Sequence, residues 1–189
     1  METKAARTRY QNKINNAQGH FFENFIKGAC LYYKQKGIAK IEKQPEPFRV
    51  MKKEKDGTAT VRFTAHAEPD FIGTLAGGHT IAFEAKRTLT DRIKQDVITQ
   101  TQWQSLDDYA ALGACAGVCV GIGSVNAFVP WEVWRNMKLI YGRKYMTVED
   151  IEPFRVQYNG SILFLDYVNK ENAKAAVGAV KEMIKPFES

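Results

Sequence analysis

Apolar residues recur at helical spacing across 20–36, where Phe22, Phe25, Ile26, Ala29 and Tyr33 share one face and Gly37 supplies a stop. Short strand-like runs follow at 38–42 and 47–52. A Lys53-Glu54-Lys55-Asp56-Gly57 tip carries an Asp-Gly turn signal, and 58–65 returns as a strand, which together predict a hairpin. Residues 79–86 alternate, with Ile81, Phe83 and Ala85 facing one way and Ala82, Glu84 and Lys86 the other. A helix is predicted over about 94–111. A strand buried on both faces follows at 114–122, then a short amphipathic helix at 130–140 with Trp131 and Trp134. A strand at 161–168 and a helix at 171–185 complete the pattern. This order predicts an α/β fold, a mixed central β-sheet flanked by helices.

Composition changes that picture little. With 189 residues, 44% hydrophobic and 25% charged, the chain suits one domain, or one with an appendage. Residues 1–18 read as a flexible basic arm (Lys4, Arg7, Arg9, Lys13), leaving 19–189 as a single domain. A net charge of +6 favours a polyanionic partner without proving one. Cys30, Cys115 and Cys119 are expected to be buried free thiols, and Cys115-x-x-x-Cys119 lacks the second ligand pair of a zinc site. The N-terminus has no apolar signal core, and no window approaches a membrane span, so a cytoplasmic protein without a membrane role is expected.

Candidate chemistry lies in Pro69-Asp70 and Phe83-Glu84-Ala85-Lys86. Glu84 and Lys86 share a strand face, and a turn at Gly77-Gly78 lets the Asp70 segment pair beside them. Two converging carboxylates make a hard-oxygen site suited to Mg²⁺ or Mn²⁺. Such a site suits phosphodiester hydrolysis, with the lysine orienting water or stabilising phosphate charge. An E-x-K alone is weak, because solvated strand faces often carry both residues. The scattered His20, His66 and His79 read as ordinary polar residues, and Trp103, Trp131 and Trp134 as core rather than base-stacking platforms. Gly121-Ile122-Gly123-Ser124 fits neither the Rossmann nor the P-loop pattern. Arg87, Arg92 and Lys94 serve equally as phosphate grips or as a solvated loop.

A wider set of residues resembles the RecU-type Holliday junction resolvases of the PD-(D/E)XK superfamily. Gly19-His20-Phe21-Phe22-Glu23 with Tyr32-Tyr33 is similar to that family's N-terminal helix. Ile38-Ala39 and Lys43-Gln44-Pro45-Glu46-Pro47 are similar to the strand entering its stalk, and about 48–68 to the stalk hairpin. Asp70-Phe71-Ile72-Gly73 and Phe83-Glu84-Ala85-Lys86 resemble its catalytic segments. The resemblance spans about residues 16–130. The stalk is short, Pro69 and Ala67-Glu68 depart from the family pattern, and 131–189 is unmatched.

The resemblance implies a restriction-endonuclease-like fold with a protruding stalk. It implies Asp70 and Glu84 as metal ligands, Lys86 as assistant to the attacking water, Glu23 as a supporting acid, and Gln102 or Gln100 as a helper. Arg7, Arg9, Lys13, Arg49, Lys52, Lys53, Lys55, Arg62 and Arg87 are the expected DNA contacts. It implies Mg²⁺, with Mn²⁺ substituting, and a homodimer nicking both sides of a four-way junction. A recombinase or branch-migration enzyme is an open partner, and a phage-encoded member in a host cytoplasm fits as well as a bacterial one. Two alternatives compete: a PD-(D/E)XK nuclease acting on another DNA structure, and a non-catalytic DNA-binding accessory protein.

Overall fold

The computed structural model describes the backbone of residues 4–64, 68–168 and 178, with side chains over 17–64 and 68–167. Helix α1 runs Lys4–Gln35, and the strand series is β1 Ala39–Lys43, β2 Phe48–Lys53, β3 Ala59–Phe63, β4 Phe71–Leu75 and β5 Thr80–Thr88. A short β6 at Arg92–Lys94 leads to α2 Gln100–Ala111, then β7 Cys115–Ile122 and β8 Val125–Pro130. Short elements close the described chain: α3 Trp131–Arg135, α4 Met137–Tyr141, β9 Tyr145–Thr147, α5 Val148–Ile151 and α6 Leu165–Val168.

Five strands form the main sheet in the order β1-β4-β5-β7-β8. Only β5 and β7 run parallel, and the other neighbours are antiparallel, so the sheet is mixed. The parallel pair needs a crossover, and α2 supplies it. Central β5 is buried on both faces over Ile81–Glu84. Its Phe83 stacks on Phe71 at 5.1 Å and meets Phe128 and Phe164, a layer that Tyr33 of α1 extends. Gln102 of α2 reaches Glu84 on the opposite face, so α1 and α2 cover the two sides of β5.

The amphipathic stripe predicted for 20–36 is the buried face of α1. The helix itself begins at Lys4, within the stretch expected to be an arm. That stretch holds Ala, Lys, Arg and Gln and no Gly or Pro before Gly19, so helix propensity carries it without an apolar stripe. The strand predicted at 161–168 is corrected: Tyr158 and Ile162 form an isolated bridge, and Leu165–Val168 is helical. Phe164, Leu165 and Tyr167 are all buried, and a short run apolar on every side has no period to separate strand from helix. The predicted 130–140 helix is two, broken at Asn136. β8 has no alternation because it is buried from Asn126 to Pro130, and the Gly-Ser pair before it is the two-residue hairpin turn from β7, with Gly123 at φ 57°. The helix predicted at 171–185 lies outside the described residues, as does His66. Trp131 and Trp134 are fully buried, as expected of core residues. The cysteines are free, two of them buried.

Candidate active site

The antiparallel ladder of β4 and β5 pairs Phe71 with Phe83. One residue further along, Asp70 faces Glu84. Because side chains alternate, the step that sends both phenylalanines into the α1 side sends both acids to the other. The Asp70 Oδ2 accepts from the Ala85 backbone N–H at 3.0 Å, which ties the carboxylate to β5. Lys86 Nζ lies 2.8 Å from Glu84 Oε2 and 3.8 Å from Asp70 Oδ2. Asp70, Glu84 and Lys86 therefore meet at one point of the sheet.

Gln102 completes the cluster. Its Nε2 donates to Glu84 Oε2 at 2.7 Å, while its Oε1 accepts from the Thr99 backbone N–H at 3.1 Å. The same residue thus caps α2, with the Thr99 side chain answering, and holds β5 through Glu84. Gln100 is exposed, two residues earlier and so on the far side of α2 from Gln102. Removing the amide, as in Gln102→Ala, is expected to lower cleavage by about 10–100-fold, the range for partners that orient a ligating group. Rescue by Gln102→Asn is not expected, because the shorter chain cannot span both partners; steady-state cleavage rates check both variants.

Glu84 is fully buried, so this is no solvated sheet edge. Burial pushes its pKa up to about 8, against the pull of Lys86 and with the push of Asp70. Burial works the same way on Asp70, but hydrogen bonding from Glu84, the Lys86 charge and the Ala85 N–H outweigh it and hold the carboxyl below its usual range. The two acids are therefore of unequal strength, Asp70 the stronger.

This inequality makes stability depend on pH. Glu84 has a raised folded-state pKa, so its contribution is complete below about 4.5 and is lost as pH climbs through about 8. Metal-free wild type is expected to lose stability across that window, and Glu84→Gln to escape the loss. The gap in Tm in favour of Glu84→Gln should widen between pH 5 and 8 by several degrees, about 3 °C for each kcal/mol in a chain of this size. Thermal melts in chelator at both pH values check this.

Could these residues hold a divalent cation? Glu84 Oε1 is buried and has no hydrogen-bond partner. An orphaned acceptor beside a second carboxylate is a costly arrangement that a hard cation would satisfy. Among the described residues no group of three or more His, Cys, Asp and Glu is placed to hold a metal. The protein donors are thus a pair, which suits an ion that keeps several waters.

Glu23 does not join this group. It lies half-buried on α1 and is bonded to Lys43 at the end of β1. Lys43 lies opposite Phe71 in the sheet and its charge helps lower Asp70, so Glu23 reaches the acids only through that lysine. Lys43 gives no signal in the sequence, because its Lys-Gln-Pro-Glu-Pro context marks a strand end rather than a site.

Arg87 points to the α1 side. Its Nη2 donates to the Gly123 carbonyl at 2.7 Å, and its guanidinium sits 5.8 Å from the Phe22 ring centre. Beside Lys86 opens a groove of ≈ 620 Å³ edged by Thr88, Thr90, Arg92 and Lys94. Arg92 is engaged with Asp91 and lies over Tyr145. The hairpin β2–β3 is a separate two-stranded sheet with every residue of β2 exposed. Arg49 pairs directly with Arg62, and past a bulge Lys52 and Lys53 continue the strand. Lys52 meets Glu54 at 2.8 Å, and Lys55 lies in the exposed tip. The side chains of Arg7, Arg9 and Lys13 lie outside the described residues.

Among curated proteins no sequence matches the chain. A solved structure similar to it is that of Hjc, a Holliday junction resolvase from Archaeoglobus fulgidus, with 14% identity, a TM-score of 0.43, and coverage of 70% of this chain and 93% of that one. The family model described as recombination protein U matches residues 17–171, which takes in every element from the apolar part of α1 to α6 and reaches well past the motif region. On that match, the chain belongs to the recombination protein U family, the Holliday junction resolvases its motifs resemble.

Proposed function

We propose that the protein resolves four-way DNA junctions by paired, divalent-metal-dependent nicks, with Asp70, Glu84 and Lys86 as its catalytic centre. The observation that carries this is the convergence of the three side chains on one buried patch of β4 and β5, inside the family frame. Asp70 and Glu84 would hold the ion, which when bound supplies charge neutralisation at the phosphate and a more acidic water. Mg²⁺ fits a two-carboxylate site, and Mn²⁺ has the same oxygen preference.

The chain's own residues do the rest. The Ala85 N–H and Gln102 fix the two carboxylates, so little reorganisation is needed when charge develops. Lys86 Nζ, one-fifth exposed, is placed to orient the attacking water and to stabilise charge on a phosphate oxygen. Glu23 acts as a supporting acid by holding Lys43 beside Asp70.

Selectivity for junctions lies in shape and phosphate path. Like charges directly opposite on a hairpin destabilise it, and Arg49 faces Arg62 across β2–β3. A polyanion offsets that repulsion. This favours the hairpin as a DNA-facing stalk, with Lys52, Lys53, Lys55 and the residues Arg7, Arg9, Lys13 and Arg87 as further phosphate contacts. A homodimer places two such centres with two-fold symmetry, matching two nicks across a junction. The described residues contain no helix long and apolar enough to cross a membrane.

Competition tests the reading. Labelled junction is cut in the presence of excess unlabelled linear duplex or excess unlabelled junction. Junction competitor should suppress cutting at far lower concentration than duplex. Equal suppression would point instead to a nuclease for ordinary duplex.

A further inference from the structure

On the α1 side of the sheet, next to the groove that contains Lys86, lies a second cavity of ≈ 270 Å³. Four aromatic residues line it: Phe21, Phe22, Phe25 and Tyr158. Phe21 is 59% exposed and Tyr158 53%, with Phe25 and Tyr158 edge to face at 5.2 Å. Arg87 and Asn126 form its polar floor and Gln18 its rim.

The floor has unmet demands. Asn126 is only 8% exposed, and its Oδ1 is buried without a hydrogen-bond partner. The Arg87 Nε is likewise buried and unpartnered, although the same guanidinium is anchored on Gly123. The sheet register aims both into this space. Arg87 and Asn126 are each the Cα partner of Gly121, from opposite sides, so all three share a face. A Cβ on Gly121 would meet Phe22 at 2.9 Å and Arg87 at 3.0 Å, so the absent side chain lets the floor lie this close. One donor and one acceptor stand unsatisfied on this face, on either side of Gly121, beneath exposed aromatic rings. A buried polar group without a partner costs free energy, and a fold tolerates a pair of them where a ligand meets both.

We propose that this cavity takes one unstacked nucleobase of the DNA, from a nucleotide next to the scissile phosphate, and thereby sets the sequence preference of cutting. The inference rests on the junction-nuclease reading above and deepens it. Aromatic walls bind a base by its face, and the paired donor and acceptor read its edge. Arg87 directly follows Lys86 on β5, and both side chains also line the larger groove. The two side chains leave opposite faces of β5, but Arg87 lines both spaces, so the cavity and the groove beside Lys86 share a wall at this end of the strand. The exchange point of a junction offers bases whose stacking is already interrupted, which lowers the cost of extrusion. An apolar side chain of a second protein copy fits the walls but leaves the floor unpaired, so that occupant is disfavoured.

The test uses junctions whose nucleotides flanking the cut are varied through all four bases, with 2-aminopurine at the same positions for metal-free binding. The variants are Phe21→Ala and Tyr158→Ala, exposed side chains whose loss leaves the core intact, and Asn126→Ala. Wild type should discriminate between flanking bases by about tenfold, the scale of one stacked or hydrogen-bonded base. Each variant should flatten that preference, with junction affinity changed less. The 2-aminopurine emission should change on binding wild type and not on binding Phe21→Ala. Unchanged preference together with unchanged 2-aminopurine response in folded variants overturns the pocket. Phe21→Ala or Tyr158→Ala dissociating a dimer in sedimentation, without touching base preference, overturns it in favour of a protein interface. The binding signal is read without metal, so it decides the pocket even if wild type fails to cut, a failure that would count against the nuclease reading instead.

Discussion

Asp70→Asn should abolish junction cutting, lowering the rate by on the order of 10³-fold or more, while leaving junction affinity in low-metal buffer nearly unchanged. Asp70 accepts from the Ala85 N–H and faces Glu84 and Lys86, and an amide of the same shape keeps the packing. What it removes is the carboxylate held most firmly in its charged form, one of the two acids that would face the cation. Single electrostatic partners of a developing charge are commonly worth about 10²–10³ in rate, and loss of half the protein donor set for a cation adds to that. The substitution should also raise apparent metal demand; excess Mn²⁺ then restores occupancy but little of the rate, because the charge lost from the chemical step is not replaced. Single-turnover cutting over a metal titration, with binding followed separately by gel shift, separates a chemical defect from a binding defect. Weakened binding with normal single-turnover cutting would place Asp70 outside the chemistry.

Lys86→Met should have an effect nearly as large, a loss on the order of 10²–10³-fold, but with a different signature. Lys86 is the positive charge shared by both acids, at 2.8 Å from Glu84 Oε2 and 3.8 Å from Asp70 Oδ2. Methionine keeps the stem's contacts and deletes the ammonium. The carboxylates then lose their compensating charge, and a divalent cation has no competitor for them. Metal affinity in Lys86→Met should therefore hold or increase, while Asp70→Asn lowers it. Lys86→Arg should rescue poorly, because a planar guanidinium on a longer arm cannot occupy the position of a compact ammonium between two acids. Calorimetric titration of Mn²⁺ into wild type and the two variants, beside single-turnover rates, tests the contrast. Equal loss of metal affinity in both variants would contradict the separate role assigned to the lysine.

The frame around these residues is partly legible in the sequence. The stripe Phe22, Phe25, Ile26, Ala29 and Tyr33 announces α1, because five apolar positions at helical spacing match neither the period of a strand nor the polarity of a loop. Asp56-Gly57 announces the β2–β3 hairpin, whose turn needs the positive φ that Gly57 adopts. The opposition of Asp70 and Glu84 follows once β4 is paired with β5, since period-two alternation then fixes which side chains share a face. Elements buried on every side carry no such signal. Apart from Asn126 and Asp166, β8 and the Phe164–Tyr167 run are apolar without a period, so neither declares in the sequence whether it is strand or helix. At the site, spacing cannot show that Glu23 spends its charge on Lys43, or that Gln102 rather than Gln100 touches Glu84. Both outcomes depend on where α1 and α2 dock, and docking is set by long-range packing rather than by local pattern. The cavity under Phe21 is invisible in the sequence for the same reason, since Arg87, Asn126 and Tyr158 are distant in the chain.

The burial of Glu84 also links stability to chemistry. A carboxylate with no exposure and an unpartnered oxygen weakens the metal-free fold, and its retention is understandable if a cation completes it. Stabilisation of wild type by Mg²⁺ or Mn²⁺, absent in Glu84→Gln, is the corresponding expectation from mass action.

The most direct measurement is nick mapping on an immobile synthetic four-way junction, each strand end-labelled in turn, with divalent metal and with chelator. Opposed nicks at symmetric positions in two strands, present with metal and absent with chelator, are expected. An intact junction at saturating protein and metal, or nicks that persist unchanged in chelator, would contradict a metal-dependent resolving centre built on Asp70, Glu84 and Lys86.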